Sequence, residues 1–253
     1  MIKNIYTYWE NPVGKTTPPY IEACFRSAKV LCEAIGATFQ VFSQDSAKGF
    51  LATHKVIHGN YFKLTSPSHR ADCLRVAVIA LNGGLWIDAD CLFIRNPQPF
   101  FNMIAENEVN GHDFFYTQWD DGRVLNGYFY ATPESRAMTT WLDHINQVLY
   151  HMPQIRTWTM FGEQIITPLA LYKFGKECFR FDRKYFVPIN TDKIPFAFFE
   201  DIPYSAFDKT YTVAVNLNHS FFCNHRPEIT TASIDDLSTR SDLLGDILSR
   251  RSA

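Results

Sequence analysis

The chain predicts an α/β fold, and three observations carry that prediction. It opens on a strand–helix–strand run with short connections, the pattern of a parallel βαβ unit. A later helix, apolar all round in its second half, passes through a double glycine straight into a short apolar strand. Of the 253 residues, 46% are hydrophobic and 15% aromatic, enough to build a substantial core.

Taken in order, Ile2 to Trp9 is rich in Ile, Tyr and Thr and reads as the first strand. Pro19 to Ile35 places Ile21, Phe25, Ala28, Leu31 and Cys32 at helical spacing, and Gly36 ends that helix. Thr38 to Phe42 is the second strand. Residues 43–66 read as irregular, with a helix near Phe50. Ser66-Pro67 signals a helix start, Ser66 as N-cap and Pro67 in the first turn. The helix reaches about Leu81 and closes at Asn82-Gly83-Gly84. Further on, Asp113 to Gln118 and Val124 to Tyr130 read as strands, Pro133 to Tyr150 and Met160 to Phe174 as helices, and Phe179 to Pro188 and Tyr211 to Leu217 as strand-like. The tail carries a modest apolar stripe, Leu243, Leu244, Ile247 and Leu248, followed by Arg250 and Arg251.

Composition excludes several classes. The formal net charge of −2 leaves no electrostatic footprint for nucleic acid. Six cysteines show neither a CxxC pair nor metal-finger spacing, which predicts buried free thiols in a reducing compartment. The N-terminus has a strand pattern rather than a signal peptide, and the longest apolar run falls far short of a membrane span. The expectation is a soluble cytoplasmic protein with at most peripheral contact at the inner face of a membrane. Gly14-Lys15-Thr16 is not a phosphate loop, because the position five before Gly14 is Trp9 rather than glycine.

The chemistry concentrates at Leu81 to Asp90. After Leu85-Trp86-Ile87 come Asp88 and Asp90 with one residue between them. In an extended chain two such side chains point the same way, and two carboxylates aimed at one point call for a cation between them. Hard carboxylate oxygens suit Mn²⁺ or Mg²⁺, which would clamp a phosphorylated ligand. One turn apart on the preceding helix, Asp72 and Arg75 form either an internal ion pair or part of the same site. A haloacid-dehalogenase-type phosphatase also places Asp-x-Asp after an apolar strand. That motif belongs on the first strand of its core, whereas a βαβ unit precedes it here, and the later Asp235-Asp236 doublet looks like a helix start.

Asp72-x-x-Arg75 followed by Gly83-Gly84-Leu85-Trp86-Ile87-Asp88-x-Asp90 resembles the DXD sugar-binding region of GT-A glycosyltransferases of the capsular-polysaccharide-synthesis and initiating-mannosyltransferase type. Tyr6-Thr7-Tyr8-Trp9 with Pro18-Pro19-Tyr20-Ile21 is similar to the capsular group too. The resemblance is most specific over residues 65–97 and thin after about 135. It implies a single GT-A (Rossmann-like nucleotide-binding) domain over 1–253, with a mixed, mostly parallel central sheet flanked by helices. Residues 1–130 would form the nucleotide-sugar half, and 131–253 the acceptor-side half and tail. The implied activity is metal-dependent transfer of a hexose, with retention, from a nucleotide diphosphate sugar to a glycan or lipid-linked glycan in surface polysaccharide synthesis. A UDP-sugar is favoured over a GDP-sugar. A non-catalytic sugar-nucleotide- or glycan-binding domain of the same fold is the alternative.

The resemblance also implies roles. Asp90 would bind the metal, and Asp88 the ribose or the metal through water. Asp72 and Arg75 would hold donor-sugar hydroxyls, and Tyr8 and Trp9 would lie at the nucleotide, Trp9 stacking on the base. Asn126 would lie near the donor sugar, although Asn126-Gly127 reads equally as a turn. His219, preferred to His225, would be a third metal ligand. Glu163 and Gln164 would either approach the reaction centre or cap a helix. Acceptor specificity is expected in residues 150–210, whose aromatics include Trp158, Phe161, Tyr172, Phe196, Phe198, Phe199 and Tyr204.

Overall fold

The computed structural model describes residues 2–151, 157, 159–188, 198–199 and 212–249. Trp158, Phe196, Tyr204, Tyr211, Arg250 and Arg251 lie outside these. The chain forms two compact units: residues 1–10, 37–87 and 101–182 make the first, and residues 11–36, 88–100 and 183–253 the second.

The first unit is built on a six-stranded sheet. Its strands are β1 (Asn4–Tyr8), β2 (Thr38–Phe42), β3 (Gly84–Ile87), β5 (Phe114–Gln118), β6 (Val124–Ala131) and β7 (Cys178–Arg180), in the order β2-β1-β3-β6-β5-β7. The pairs β1–β2, β1–β3 and β5–β7 are parallel, while β3–β6 and β5–β6 are antiparallel. The expected mixed, mostly parallel sheet is thus present. β6 runs through residues 130 and 131, where the two sequence halves were expected to meet.

Helix α3 (Pro67–Asn82) is the centre of this unit. Leu74, Val76, Ala77, Val78 and Ile79 have no exposed surface and join Trp86, Phe114, Phe129 and Trp141 in one core. Each large apolar side chain so buried contributes roughly 1.5–3 kcal/mol. Gly83, at φ +63°, and Gly84, at φ +111°, turn the helix into β3. A side chain at Gly84 would lie 2.7 Å from the Asn4 carbonyl oxygen on β1, and one at Gly83 would lie 2.6 Å from Pro133. The double glycine therefore allows both a left-handed bend and close backbone contact. Ser66 precedes the helix as expected, but its hydroxyl bonds Ser68 rather than a backbone N–H.

Several local expectations need correction. The helix expected near Phe50 is present as α2 (Gln44–His54), but it takes up more of residues 43–66 than expected: it is capped by Ser43, whose hydroxyl and that of Ser46 form a reciprocal capping box. This helix is amphipathic over only three turns, so its periodicity is faint in sequence. Helix α4 (Gln98–Val109) precedes β5, and helix α5 (Arg136–His151) starts after Pro133, which instead packs on Gly83. The helix expected over 160–174 is α6 (Glu163–Pro168), continuing as a π-helical turn over Leu169–Lys173. The strand expected over 179–188 is only β7. Asn126 and Gly127 lie inside β6 rather than in a turn, because their alternating neighbours pair on both sides.

The second unit holds α1 (Pro19–Ile35) and a two-stranded antiparallel sheet of β4 (Cys91–Phe93) and β8 (Ala214–Asn216). The Ser27 hydroxyl on α1 accepts from the Phe93 N–H at 3.1 Å. Helices α7 (His219–His225), α8 (Pro227–Thr231), α9 (Ile234–Ser238) and α10 (Leu243–Ser249) follow, with Leu243, Leu244, Ile247 and Leu248 buried. Asp235 and Asp236 open α9, capped by Ser233, as their spacing suggests. Cys24, Cys32, Cys73, Cys91 and Cys178 are buried free thiols, whereas Cys223 is exposed. Among the described residues no helix is long and apolar enough to cross a membrane.

Candidate nucleotide-sugar site

In the first unit, α3 and β6 bring Asp72, Arg75 and Asn126 together. One helical turn separates Asp72 from Arg75, and a guanidinium nitrogen lies 3.2 Å from Asp72 Oδ1. The Asn126 amide donates to the same oxygen at 2.9 Å, and Arg75 Nη1 donates back to the Asn126 carbonyl. Arg75 also lies over the Trp86 ring, 5.4 Å from its centroid. Asp72 and Arg75 are only 5% and 6% exposed, so this is a pre-paired polar cluster set into an apolar core. Such a pair is costly to desolvate and fragile if one member is removed. Its polar atoms are aligned in advance, which suits recognition of hydroxyl groups.

At the end of β1, Tyr8 is buried and its hydroxyl donates to Glu10. Burial, reinforced by Glu10, holds the Tyr8 hydroxyl far above the ordinary tyrosine range. Arg70, from the first turn of α3, grips the same carboxylate through Nε at 2.9 Å and through Nη2, and donates to the Leu64 carbonyl. Trp9 is half-buried, and its main-chain N–H donates to the Phe42 main-chain carbonyl at 2.9 Å. Sequence reasoning missed Glu10 and Arg70. The only available signal was an acid just past a strand end and an arginine in the first turn of α3.

Glu163 is the first residue of α6. It accepts from Trp119 Nε1 at 2.9 Å and from Arg123 at 2.7 Å, so its carboxylate does not cap its own helix. Gln164 donates to the hydroxyls of Thr157 and Thr159. Gly162 lies against Asn126: a Cβ there would fall 2.1 Å from the Asn126 amide nitrogen. The loop entering α6 therefore bears directly on the residue that contacts Asp72.

In the second unit, Asp88 to Asp90 do not continue the strand β3. The Cys91 N–H donates to the Asp88 carbonyl at 3.1 Å, closing a turn, so Asp88 and Asp90 are presented by a bend rather than by the alternation of an extended chain. Asp90 accepts from the Asn216 amide at 3.0 Å and from the His219 main-chain N–H at 2.7 Å. Burial, and then the neighbouring charge of Asp88, push its carboxyl up to about 6. His219, expected as a third ligand, reaches Asp90 through its backbone. Its ring bonds the Tyr20 hydroxyl through Nδ1 and lies 3.2 Å from Cys223 Sγ through Nε2. Burial holds the ring below the usual histidine range.

The donor chemistry of this turn fits a hard divalent cation. Two carboxylates share one turn, and Asp90 is held by neutral donors. Mg²⁺ and Mn²⁺ sites of this kind commonly take one or two carboxylates and complete their shell with substrate phosphate and water. Among the described residues, no set of three His, Cys, Asp or Glu side chains converges on one point.

The fold and the residues of the first unit define a class. A solved structure described as a glycosyltransferase involved in the glycosylation of the major capsid of PBCV-1 matches with a TM-score of 0.51 and 14% identity, over 91% of this chain and 98% of that one. This likeness establishes the GT-A glycosyltransferase fold. Looser likenesses link the chain to the PaToxG glycosyltransferase (TM-score 0.45, 12% identity, 68% and 69% of the two chains) and to mouse xyloside xylosyltransferase 1 (0.47, 8%, 87% and 98%). No curated protein matches. Residues 1–157 match the family described as capsular polysaccharide synthesis protein, and the chain belongs to that family. Family and fold are thus those of a glycosyltransferase, and the phosphatase alternative falls away.

Proposed function

We propose that the chain is one metal-dependent glycosyltransferase domain. It transfers a hexose from a nucleotide diphosphate sugar, a UDP-sugar in preference to a GDP-sugar, to a glycan or lipid-linked glycan in surface polysaccharide synthesis. The observation that carries this reading is the buried, pre-paired cluster of Asp72, Arg75 and Asn126 in a chain of this family.

Asp72, Arg75 and Asn126 take the hydroxyls of the donor sugar. Tyr8 and Trp9 take the nucleoside, with Arg70 and Glu10 fixing the strand end that carries them. Glu163 and Gln164 lie toward the acceptor. Asp90 and Asp88 hold Mn²⁺ or Mg²⁺, with His219 orienting Asp90. When bound, the cation supplies charge neutralisation for a diphosphate leaving group. Arg75 holds the sugar while the glycosidic bond breaks, and Asn126 keeps Asp72 oriented. Retention follows from the family resemblance, through same-face substitution without a protein nucleophile. Action in the cytoplasm, at most peripheral to the inner face of the membrane, is part of the same proposal.

The test is release of nucleoside diphosphate from a panel of UDP- and GDP-hexoses with Mn²⁺, with and without glycan acceptors. Turnover of one donor, lost on adding EDTA, is expected. Failure of every donor to bind or turn over sinks the proposal, and release of inorganic phosphate from sugar phosphates would point to phosphatase chemistry instead.

A further inference from the structure

A cavity of about 370 Å³ in the first unit is lined by Arg123, Thr159, Glu163, Gln164, Thr167 and Pro168. Its size falls at the lower end of ligand cavities, about 300–1,000 Å³. Its wall mixes a few polar groups with apolar surface, a combination that suits the two faces of a sugar ring, and its electrostatics are specific. The one cation and the one anion among the lining residues are bonded to each other, Arg123 to Glu163 at 2.7 Å, and Arg123 also bonds Asp121 at 2.8 Å. An arginine already shared by two carboxylates offers little to an anionic ligand. Gln164 is held by the hydroxyls of Thr157 and Thr159, an arrangement that orients its amide oxygen as an acceptor. The cavity also has a defined neighbour. Gly162, one residue before Glu163, packs on Asn126, which donates to Asp72. The wall of the cavity is therefore one peptide away from the cluster assigned to the donor sugar.

We propose that this cavity is the acceptor subsite and that it selects an uncharged pyranose ring over a uronic acid. The inference rests on the glycosyltransferase reading of the first unit and adds to it the class of acceptor. Hydroxyl-rich, uncharged rings match a wall of paired charges, an amide and threonines, since each hydroxyl can donate to Gln164 or Glu163 and accept from Arg123. A carboxylate placed there would face Glu163 in the wall and an Arg123 whose charge is already shared with Glu163 and Asp121, which disfavours it.

Saturation-transfer NMR on the full chain with methyl β-glucoside, methyl β-galactoside and methyl β-glucuronide, in the presence of UDP or GDP and Mn²⁺, tests it. A neutral glycoside should bind at least about fivefold more tightly than the glucuronide, and Gln164→Leu should weaken it about three- to tenfold by removing one or two hydrogen bonds. Glu163→Gln frees part of Arg123's charge and should raise glucuronide affinity, a gain that a merely structural role would not produce. The inference is overturned if the glucuronide binds as well as the neutral sugars, if Gln164→Leu leaves affinity unchanged with native circular dichroism, or if the chain binds a nucleotide but no glycoside. A chain that binds neither UDP nor GDP with Mn²⁺ overturns the glycosyltransferase reading itself.

Discussion

Two aspartates of this chain sit in opposite electrostatic settings. Asp72, in the first unit, is matched: Arg75 and the Asn126 amide share its Oδ1. Asp90, in the second unit, is held by neutral donors, an amide and main-chain N–H groups, and burial with the charge of Asp88 raises its pKa to about 6. The first cluster is complete by itself and can present aligned hydrogen-bonding groups to a neutral ligand. The second carries a buried negative charge that a cation would relieve. The same residue type thus suits recognition in one place and ion binding in the other under the proposed function, and the neighbours make the difference.

The largest effect should come from breaking the matched cluster. Asp72→Ala leaves the Arg75 guanidinium buried without its partner, and thermal or urea unfolding should show a loss of about 3–5 kcal/mol. Asp72→Asn, which keeps a hydrogen bond, should cost clearly less. Equal losses would mean that charge matching is unimportant there.

Next comes the unmatched site. Asp90→Asn should lower donor turnover on the order of 10²–10³-fold while the fold is retained. A carboxyl whose pKa is raised in the folded protein binds its proton more tightly there than in the unfolded chain. Its contribution to stability is therefore lost as pH rises from the usual carboxylate range through about 6. In EDTA, the melting temperature should carry this loss between pH 5 and pH 7. Mn²⁺ should restore more at pH 7, where no proton competes, than at pH 5. A metal-induced shift that is larger at pH 5 would contradict the assignment.

Gly162→Ala probes the support of the matched cluster. Its new methyl would push the Asn126 side chain away from Asp72, at about 1–3 kcal/mol. Donor affinity should then fall as it does in Asn126→Ala, and additive effects in the double variant would show that the two do not act through one another. The smallest effect is expected for His219→Ala, which keeps the backbone N–H on Asp90. Mn²⁺ affinity, read by thermal shift, should change less than about tenfold, the lower end of what loss of a group supporting a metal site costs. A larger loss would make the ring a ligand.

Much of the fold was legible in residue order. The helix bounds Pro19–Ile35 and the strand Thr38–Phe42 match the structure residue for residue, because Pro and Gly punctuate periodic apolar runs there. The pairing of Asp72 with Arg75 was legible from helical spacing. What was not legible lay in contacts between distant segments: Asn126 on Asp72 across 54 positions, Glu10 on Arg70 across 60, and Asn216 on Asp90 across 126. The bend at Asp88–Cys91 was missed for a different reason. Acidic residues after an apolar strand carry no local mark that separates one more extended residue from a turn.

Residue order alone determined the α/β class, the passage from α3 through Gly83 and Gly84 into β3, and the placing of Asp72, Arg75, Asp88 and Asp90 around it, since each of these is set by local spacing and backbone freedom. Tertiary structure alone decided which carboxylate is neutralised and which is left charged. It also decided that Gly162 braces Asn126 and that Arg123 and Glu163 cancel each other. Charge compensation acts over a few ångströms in space, and only the folded chain establishes which groups lie that close.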